Sequence, residues 1–241
     1  ALLPSFLDMA CCGGGSTVVE PPKSVVVGDR ANFAGRGAWD DGARYVGQFV
    51  NSMREGKGQF TYANGDHYDG MWRNDKREGD GVFVTAAGDR YEGQWKNGKK
   101  DGRGVYKWMS GDTYDGHYLN DHKHGQGTFC WSDGNKYTGD WINDVREGHG
   151  VFTWANGSRY EGDWKMDRKE GNGKFVGENG DTYEGQYVAD VKFGVGKFTW
   201  GRGPWEGHVY IGEWKDNKMD GQGEYMTPKA VPQQQQQTPF C

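Results

Sequence analysis

The sequence repeats itself, and this repeat constrains the fold more than any other feature. Tyrosines stand 23 residues apart from Tyr45 to Tyr183, and Tyr210 follows after 27 residues. We call these eight residues the opening tyrosines: Tyr45, Tyr68, Tyr91, Tyr114, Tyr137, Tyr160, Tyr183 and Tyr210. Self-similarity at such a period is typical of arrays in which each repeat is one supersecondary unit. We therefore expect a repeat array rather than a single globular core.

The first half of each repeat has the period of a β-strand. A glycine stands two residues after each opening tyrosine, and an aromatic residue stands two residues later, as in Tyr91, Gly93 and Trp95. Residues two apart lie on one face of a strand, and the polar residues between them point the other way. The following Asn97-Gly98 is a hairpin turn signal, because glycine accepts a positive φ at little cost.

The second half of each repeat opens on a Gly-x-Gly pair and predicts a second strand. The same period places four residues of the third repeat on one face, namely Gly102, Gly104, Tyr106 and Trp108. Each repeat is then a hairpin, and successive hairpins pair with one another. The sequence thus predicts an all-β fold, an elongated single antiparallel sheet of about eight 23-residue hairpin repeats with irregular N- and C-terminal tails.

The composition agrees with such a sheet and argues against two functional classes. The 241 residues include 42 glycines, and aromatic residues make up 15%, so rings packed over glycines replace an aliphatic core. The formal net charge is -5, whereas nucleic-acid-binding proteins usually carry a basic face, so we expect no nucleic acid partner. No arrangement of nucleophile, base and acid is suggested, so we expect no enzyme activity and no cofactor.

One copy of the repeat carries a family resemblance. Residues 91–106 read YEGQWKNGKKDGRGVY and closely resemble the MORN (membrane occupation and recognition nexus) repeat. The resemblance recurs in register over residues 45–226, and residues 35–39 resemble half of a degenerate repeat. It implies a single antiparallel sheet with a non-catalytic role. Arrays of this family occur in junction proteins, radial spokes, basal bodies, plastid-division factors and parasite cytoskeletal scaffolds.

The repeat boundaries divide the chain into four segments. We predict an irregular N-terminal segment at 1–32, a degenerate capping half-repeat at 33–44, the array at 45–226 and a Pro/Gln-rich tail at 227–241. Low-complexity segments of this composition do not pack a core by themselves.

The tryptophans are candidates for contacts with a partner. An aromatic stripe is more often the core of the sheet, but a stripe that is half covered is also an interaction surface. Trp205 stands in an insertion within residues 201–209, where a proline and an extra tryptophan favour a partner contact over a tolerated loop. We predict partner contacts for Trp72, Trp95, Trp108, Trp131, Trp141, Trp154, Trp164, Trp200 and Trp205.

A row of cations recurs before each Gly-x-Gly pair. We call it the cation row, and it comprises Arg54, Arg77, Lys100, Lys123, Arg146, Lys169 and Lys192. Equal spacing along one edge of the sheet predicts a possible site for anionic lipid headgroups. Neighbouring carboxylates such as Glu55 and Glu78 favour instead a solvated, charge-balanced edge that prevents edge-to-edge aggregation.

Metal and terminal features add little. His122 and His124 have the spacing of a metal-binding pair on a strand, but they are expected in a turn without a third ligand, so we expect no metal site. The chain begins with Ala1, which favours a processed or truncated N-terminus. Alternatively, translation starts at Met9, and Cys11 and Cys12 are then candidate acylation sites.

Two functional hypotheses remain from the sequence, with a weaker third. The first is a scaffold that bridges protein subunits of a large assembly, either ciliary and cytoskeletal or a processed organellar (mitochondrial or plastid) membrane complex. The second is a cytoplasmic membrane-surface protein that binds anionic lipid through the cation row. The third is a regulatory subunit of an enzyme on which the array docks. The first predicts a stoichiometric partner, whereas the second predicts lipid retention without one.

Overall fold

The computed structural model describes residues 24–25 and 32–228, with side chains described from residue 35 onward. Regular structure in this part of the chain consists of β-strands alone. The strands are β1 Ser24–Val25, β2 Asn32–Ala38, β3 Arg44–Val50, β4 Met53–Thr61, β5 His67–Arg73, β6 Lys76–Val84, β7 Arg90–Lys96, β8 Lys99–Lys107, β9 Thr113–Leu119, β10 His122–Cys130, β11 Lys136–Ile142, β12 Val145–Thr153, β13 Arg159–Lys165, β14 Arg168–Val176, β15 Thr182–Val188, β16 Val191–Thr199, β17 Val209–Lys215 and β18 Lys218–Met226.

Each strand pairs antiparallel with the strand that follows it in sequence. The ladder is continuous from β1 through β18 and forms one open meander. The predicted fold class, a single antiparallel sheet of hairpin repeats, is confirmed. One difference lies at the start, where β1 falls in the segment predicted to be irregular and pairs Ser24 with Ala38.

The hairpin within each repeat turns through two residues that both have positive φ. In the third repeat these are Asn97 and Gly98, with φ of 51° and 85°. Such turns match the right-handed twist of the flanking strands, and they favour Asn, Asp and Gly. The sixth and seventh repeats instead hold Met166 at φ 47° and Ala189 at φ 48°. At these two turns the pairing of the strands imposes a conformation that the side chain disfavours.

The Gly-x-Gly pair does not alternate as the sequence predicted. The expectation that Gly102 lies on the same face as Gly104 is wrong, because Gly102 has φ 100° and begins a bulge in the ladder between β7 and β8. A Cβ atom on Gly102 would meet the side chain of Gln94, on the face opposite the aromatic rings. The Gln94 Oε1 accepts a 2.8 Å hydrogen bond from the Arg103 N–H, which the bulge removes from the ladder.

The strand β2 extends the array on its N-terminal side. Gly35 and Gly37 pair with Gly47 and Tyr45, and Trp39 packs against the buried core of the first repeat. The predicted segments 1–32 and 227–241 lie largely outside the described residues, so the four-part division of the chain stays a prediction. No helix in the described residues is long and apolar enough to cross a membrane.

Candidate docking surfaces

The opening tyrosines lie flat across the glycines of two strands. The ring of Tyr91 covers Gly93 and Gly104, and a Cβ atom on either glycine would overlap the ring. Its hydroxyl donates a 2.9 Å hydrogen bond to the Gln94 carbonyl oxygen. The first seven opening tyrosines are at most 1% exposed. A sheet one layer thick therefore buries a core on one side, which we call the aromatic face, while the outer face stays polar.

The aromatic residue four positions after each opening tyrosine joins two repeats. We call these residues the first-strand aromatics: Phe49, Trp72, Trp95, Tyr118, Trp141, Trp164, Tyr187 and Trp214. All eight are at most 5% exposed. The indole Nε1 of Trp72 donates a 3.1 Å hydrogen bond to the carbonyl oxygen of Gly58, which belongs to the preceding repeat. The same bond recurs for Trp95, Trp141, Trp164 and Trp214.

The cation row covers these rings instead of lining a free edge. The Arg54 guanidinium carbon lies 4.2 Å from the centroid of the Trp72 ring, and the Lys123 Nζ lies 4.8 Å from that of Trp141. All seven cations contact the first-strand aromatic of the next repeat at 4.0–5.5 Å. Cation–π contacts of this kind strengthen as the cation loses water.

A polar residue at the turn of the next repeat accepts the backbone N–H of most residues of the cation row. Asp75 Oδ1 accepts hydrogen bonds of 2.9 Å from both the backbone N–H and the Nε of Arg54. Five further members of the row donate their backbone N–H to the equivalent residue, namely Asp121, Asp144, Asp167, Asp190 or Asn217. Arg77 bonds the carbonyl oxygen of Gly98 at 2.7 Å, since that turn has no carboxylate.

Burial shifts the titration of this layer. It lowers the pKa of Lys100, Lys169 and Lys192, because the charged ammonium loses hydration. It raises the pKa of the interior opening tyrosines, to about 12 for Tyr45 and for Tyr183. Both shifts indicate a dry layer between rings and cations.

The cation row is thus as regular as predicted, but its expected position at a solvated edge is wrong. Arg54 is 4% exposed, and the other six members are half-buried over the rings. Stacking on aromatic rings and hydrogen bonding to the next turn account for this location. Lipid binding by Arg54, Arg77, Lys100, Lys123, Arg146, Lys169 and Lys192 stays a prediction.

The nine tryptophans predicted to contact a partner fall into three groups. Trp72, Trp95, Trp141 and Trp164 are first-strand aromatics and offer almost no surface. Four others immediately follow the second strand of their repeats and are half-buried, and we call them the loop-edge tryptophans: Trp108, Trp131, Trp154 and Trp200. Trp205, in the insertion, is 56% exposed. The structure therefore concentrates accessible tryptophan at the edge formed by the loops between repeats.

The loop-edge tryptophans form a stack that runs across repeats. Trp108 lies 5.3 Å from the Phe129 ring of the next repeat, and Trp131 lies 5.4 Å from Phe152. Thr85 and Gly177 occupy the equivalent positions in the second and sixth repeats. Three consecutive tryptophans, Trp108, Trp131 and Trp154, thus lie between two gaps in the row.

The insertion in the seventh repeat lies at the same edge, near the C-terminal end of the array. Trp200 donates its backbone N–H to the His208 carbonyl oxygen at 3.0 Å, which closes the loop. The Trp205 ring lies 5.2 Å from that of His208, which lies 5.6 Å from Tyr225 on β18. The loop extends the aromatic edge, and its contact with a partner stays a prediction.

The histidines and the surface depressions show no arrangement for catalysis. His122 Nδ1 lies 2.6 Å from Asp144 Oδ2, so this ring is held by the next turn. Within residues 24–25 and 32–228, no three His, Cys, Asp or Glu side chains are placed to hold a metal ion. Two shallow depressions in this part of the chain are open to solvent, and one of them is lined by Asn156, Glu178 and Arg202.

The sequence analysis did not predict the contact between the cation row and the first-strand aromatics of the next repeat. A signal was present, because six of the seven cations are followed 21 residues later, or 25 residues later for Lys192, by Asp or Asn at the second turn position. A basic residue that recurs together with such a partner in the next repeat indicates a contact between repeats.

Comparison with solved structures found similarities at low sequence identity. The TCP domain of Drosophila melanogaster SAS-4 (dCPAP), solved in complex with a proline-rich motif of Ana2 (dSTIL), matches with 12% identity and a TM-score of 0.40, covering 66% of this chain and 85% of that one. The G-box domain of the microcephaly protein CPAP matches with 12% identity and a TM-score of 0.32, covering 82% and 100%. No curated protein sequence gave a significant match.

The family comparison is decisive. The model of the MORN repeat matches eight consecutive times, at residues 45–67, 68–90, 91–113, 114–136, 137–159, 160–182, 183–204 and 210–229. These matches cover well over half of the chain and start at the eight opening tyrosines. Repeats of this family are non-catalytic modules that commonly bind proteins or membranes. The chain belongs to the MORN repeat family.

Proposed function

We propose that this protein is a non-enzymatic scaffold that docks other protein subunits and bridges or stabilises them within a larger assembly. The observation that carries the proposal is the row of half-buried loop-edge tryptophans that follows a fully buried core. The chain itself covers the first seven opening tyrosines and all eight first-strand aromatics. The tryptophan surface left at the edge is therefore available for binding.

The chemistry of the edge suits a protein partner. Tryptophan contributes strongly to protein interfaces, because a large ring buries much surface while few rotatable bonds are fixed. Trp108, Trp131 and Trp154 lie one repeat apart, at roughly 10 Å, since two strands separate them. A partner that contacts all three would be held along a line of roughly 20 Å. Such an extended contact supports bridging rather than catalysis.

The test combines size fractionation of a gentle native extract with identification of every chain that co-migrates. We expect the wild-type protein in a large particle with stoichiometric companions. The double variant Trp131→Thr with Trp154→Thr should leave that particle, and it should stay folded because Thr85 occupies the same position naturally. A matched control, Val46→Thr with Met71→Thr, changes exposed apolar residues on the outer face and should migrate like the wild type.

The outcome also separates the alternatives. Companion chains from a cilium or the cytoskeleton, or from an organellar membrane complex, would identify the compartment. If the wild-type protein elutes alone at its own mass, the scaffold proposal is wrong. Retention of that lone protein by anionic liposomes would then favour the membrane-surface hypothesis, and substitution of Lys123 or Lys192 would test the cation row.

A further inference from the structure

The two residues that flank each hairpin turn are paired in an unexpected way. They face each other across the first rung of the hairpin, and we call them the turn pairs: Val50–Met53, Arg73–Lys76, Lys96–Lys99, Leu119–His122, Ile142–Val145, Lys165–Arg168, Val188–Val191 and Lys215–Lys218. Four of the eight pairs join two cations, and none joins a cation to a carboxylate. Stability alone would favour the opposite choice, since like charges directly opposed across two strands repel.

The eight cations of the four basic turn pairs are all exposed. Within the part of the chain that the structure describes, none of them forms an ion pair, whereas Arg90, Arg103 and Lys174 elsewhere on the sheet do so. Each basic pair therefore leaves two ammonium or guanidinium groups side by side in solvent. A favourable role for them requires an anion from outside the sheet.

Carboxylates near these turns form no ion pair with the turn-pair cations within the described residues, and they are hydrogen-bonded to a neighbouring repeat. Asp75 is held by Arg54, and Glu78 Oε2 accepts a 2.9 Å hydrogen bond from the Asn97 N–H. The Asp101 carboxylate accepts a bond from the Asn120 N–H at 3.3 Å. The second and third turns together carry six cations and three carboxylates, so this stretch is basic in a chain of net charge -5.

Three of the remaining turn pairs are apolar and the fourth joins Leu119 to His122, and all four are interspersed among the basic pairs. Leu119, Ile142 and Val188 are 41%, 47% and 49% exposed. Along the array the order of the turn pairs is apolar, basic, basic, leucine–histidine, apolar, basic, apolar, basic. Successive pairs lie two strands apart, at roughly 10 Å, which equals about three residues of an extended chain. A partner that matches this row would carry aliphatic residues interspersed among acidic ones.

We propose that the turn edge, defined by the turn pairs, binds an acidic peptide segment that carries aliphatic residues between its carboxylates. This proposal rests on the proposed scaffold function and specifies the chemistry of one partner. A peptide fits better than a flat membrane, because adjacent strands of a sheet are rotated by roughly 20°. Successive turns therefore point in different directions, and a flexible chain can follow them while a plane cannot.

The experiment measures fluorescence anisotropy of labelled peptides titrated with the full-length protein. One probe is an oligo-glutamate of about 20 residues, long enough at ~3.3 Å per residue to span six repeats. A second probe of equal length replaces part of the glutamates by leucine. We expect both to bind at low salt, the second more tightly. Binding should weaken as salt is added, because exposed charges are screened.

Two charge-matched variants test where the peptide binds. The edge variant carries Arg73→Gln, Lys76→Gln, Lys96→Gln and Lys99→Gln. The control variant carries Lys57→Gln, Lys107→Gln, Lys136→Gln and Lys197→Gln, which are exposed cations outside the turn pairs. We expect the edge variant to bind roughly tenfold more weakly, and the control variant to change by less than about twofold. The edge variant should unfold at an unchanged or higher denaturant concentration, so that weaker binding does not reflect unfolding.

Three results would overturn the proposal. Equal weakening in both variants would mean that only net charge matters. Absence of peptide binding by the wild-type protein would exclude an acidic peptide as the ligand of the turn edge. Retention on phosphatidylserine-containing vesicles that is lost in the edge variant, without peptide binding, would make the edge a membrane site. None of these results depends on co-migration in the native extract, so the scaffold function can stand when this proposal fails.

Discussion

The two ends of the array share one repeat chemistry but differ in burial. In the first repeat Tyr45, Phe49 and Phe60 have no exposed surface, and Arg54 is 4% exposed. In the eighth repeat every residue of β18 is exposed, and Tyr225 is 50% exposed although it corresponds to Phe60. The difference therefore lies in the neighbours and not in the residues themselves.

The two ends differ in their outer neighbours, because a described strand, β2, flanks the first repeat on its N-terminal side, whereas β18 is the last described strand. Trp39 packs against Phe60 from the N-terminal side, with ring centroids 5.1 Å apart, and Trp72 packs on it from the second repeat at 5.8 Å. The far side of β18 has no such neighbour within residues 24–25 and 32–228. Each core is thus completed by the next repeat, and stability is expected to be a sum of hairpin terms and nearest-neighbour terms.

The largest expected effect is alkaline unfolding of the interior repeats. Burial raises the pKa of Tyr45 and Tyr183 to about 12, whereas an unfolded tyrosine ionises near pH 10. A raised pKa contributes stability that is complete below about pH 10 and is lost as pH rises through the folded value. The lowered pKa of Lys100 acts in the opposite direction, but buried tyrosines outnumber such lysines.

We therefore expect tyrosinate absorbance and loss of the sheet signal in circular dichroism to rise together between about pH 10 and pH 12. Only exposed tyrosines should ionise before the sheet unfolds. Complete ionisation near pH 10 with an intact sheet would show that the opening tyrosines are not buried in solution.

Truncation of one aromatic residue in the interior of the array should cost more stability than truncation of one in the last repeat. Trp141→Ala removes a buried ring and the hydrogen bond to Gly127, and should cost about 4 kcal/mol. Tyr225→Ala removes a half-exposed ring and should cost about 1 kcal/mol. Urea unfolding with hydrogen exchange measures both, and equal costs would contradict the nearest-neighbour account.

A methyl group added beneath an opening tyrosine is expected to have the next largest effect. Gly127→Ala places a Cβ atom inside the Tyr114 ring, which neighbouring repeats hold, and should cost about 3 kcal/mol. Gly223→Ala meets the Tyr210 ring, but that ring is only half-buried and can move, so about 1 kcal/mol is expected. Gly157→Ala, where no atom lies within 4 Å but φ is 87°, measures the backbone cost alone. If Gly127→Ala destabilises the protein no more than Gly157→Ala does, the Tyr114 ring moves aside to accommodate the methyl group.

The smallest effect should be the same at both positions in the array. Lys96→Glu and Lys215→Glu each convert a basic turn pair into an oppositely charged one and should stabilise the protein by about 0.5 kcal/mol. The gain should shrink in high salt, because the residues are exposed. Denaturant midpoints measured at two salt concentrations provide the check. Destabilisation at either site would show that the like-charged pairs are held by an interaction within the sheet.

The fold was predictable because each local signal agrees with the repeat. The spacing of Tyr91, Gly93 and Trp95 identifies a strand, and Asn97-Gly98 identifies a turn with positive φ at both residues. The bulge at Gly102 was harder to see, because Gly-x-Gly also fits strict alternation. A cue existed in the unequal distances of Tyr91 and its partner Tyr106 from the turn, which require two extra residues on the second strand.

The candidate site was less predictable, since its side chains depend on contacts between repeats. The sequence identifies Trp141 and Trp154 equally as aromatic residues at strand positions. Only the packing shows that Lys123 covers Trp141, while Trp154 lies half-exposed at the loop edge. Likewise, the sequence places Lys96 and Lys99 near a turn, but the two-residue turn geometry is needed to show that they face each other.

Each repeat completes its packing with a ring and a turn residue of the next repeat. This dependence constrains how the chain can change in length. Arg54 needs Trp72 and Asp75, so the unit that packs together straddles the boundary between the first and second repeats. A deletion of 23 residues that begins and ends at the same position of two successive repeats joins the first half of one repeat to the second half of the next. It therefore preserves the contacts between the repeats that follow. A shorter deletion within a hairpin would disrupt the register of that hairpin and its contacts with the adjacent repeats. Evolution can therefore lengthen or shorten this ribbon in whole steps, while the loops between repeats remain free to grow, as residues 201–209 already have.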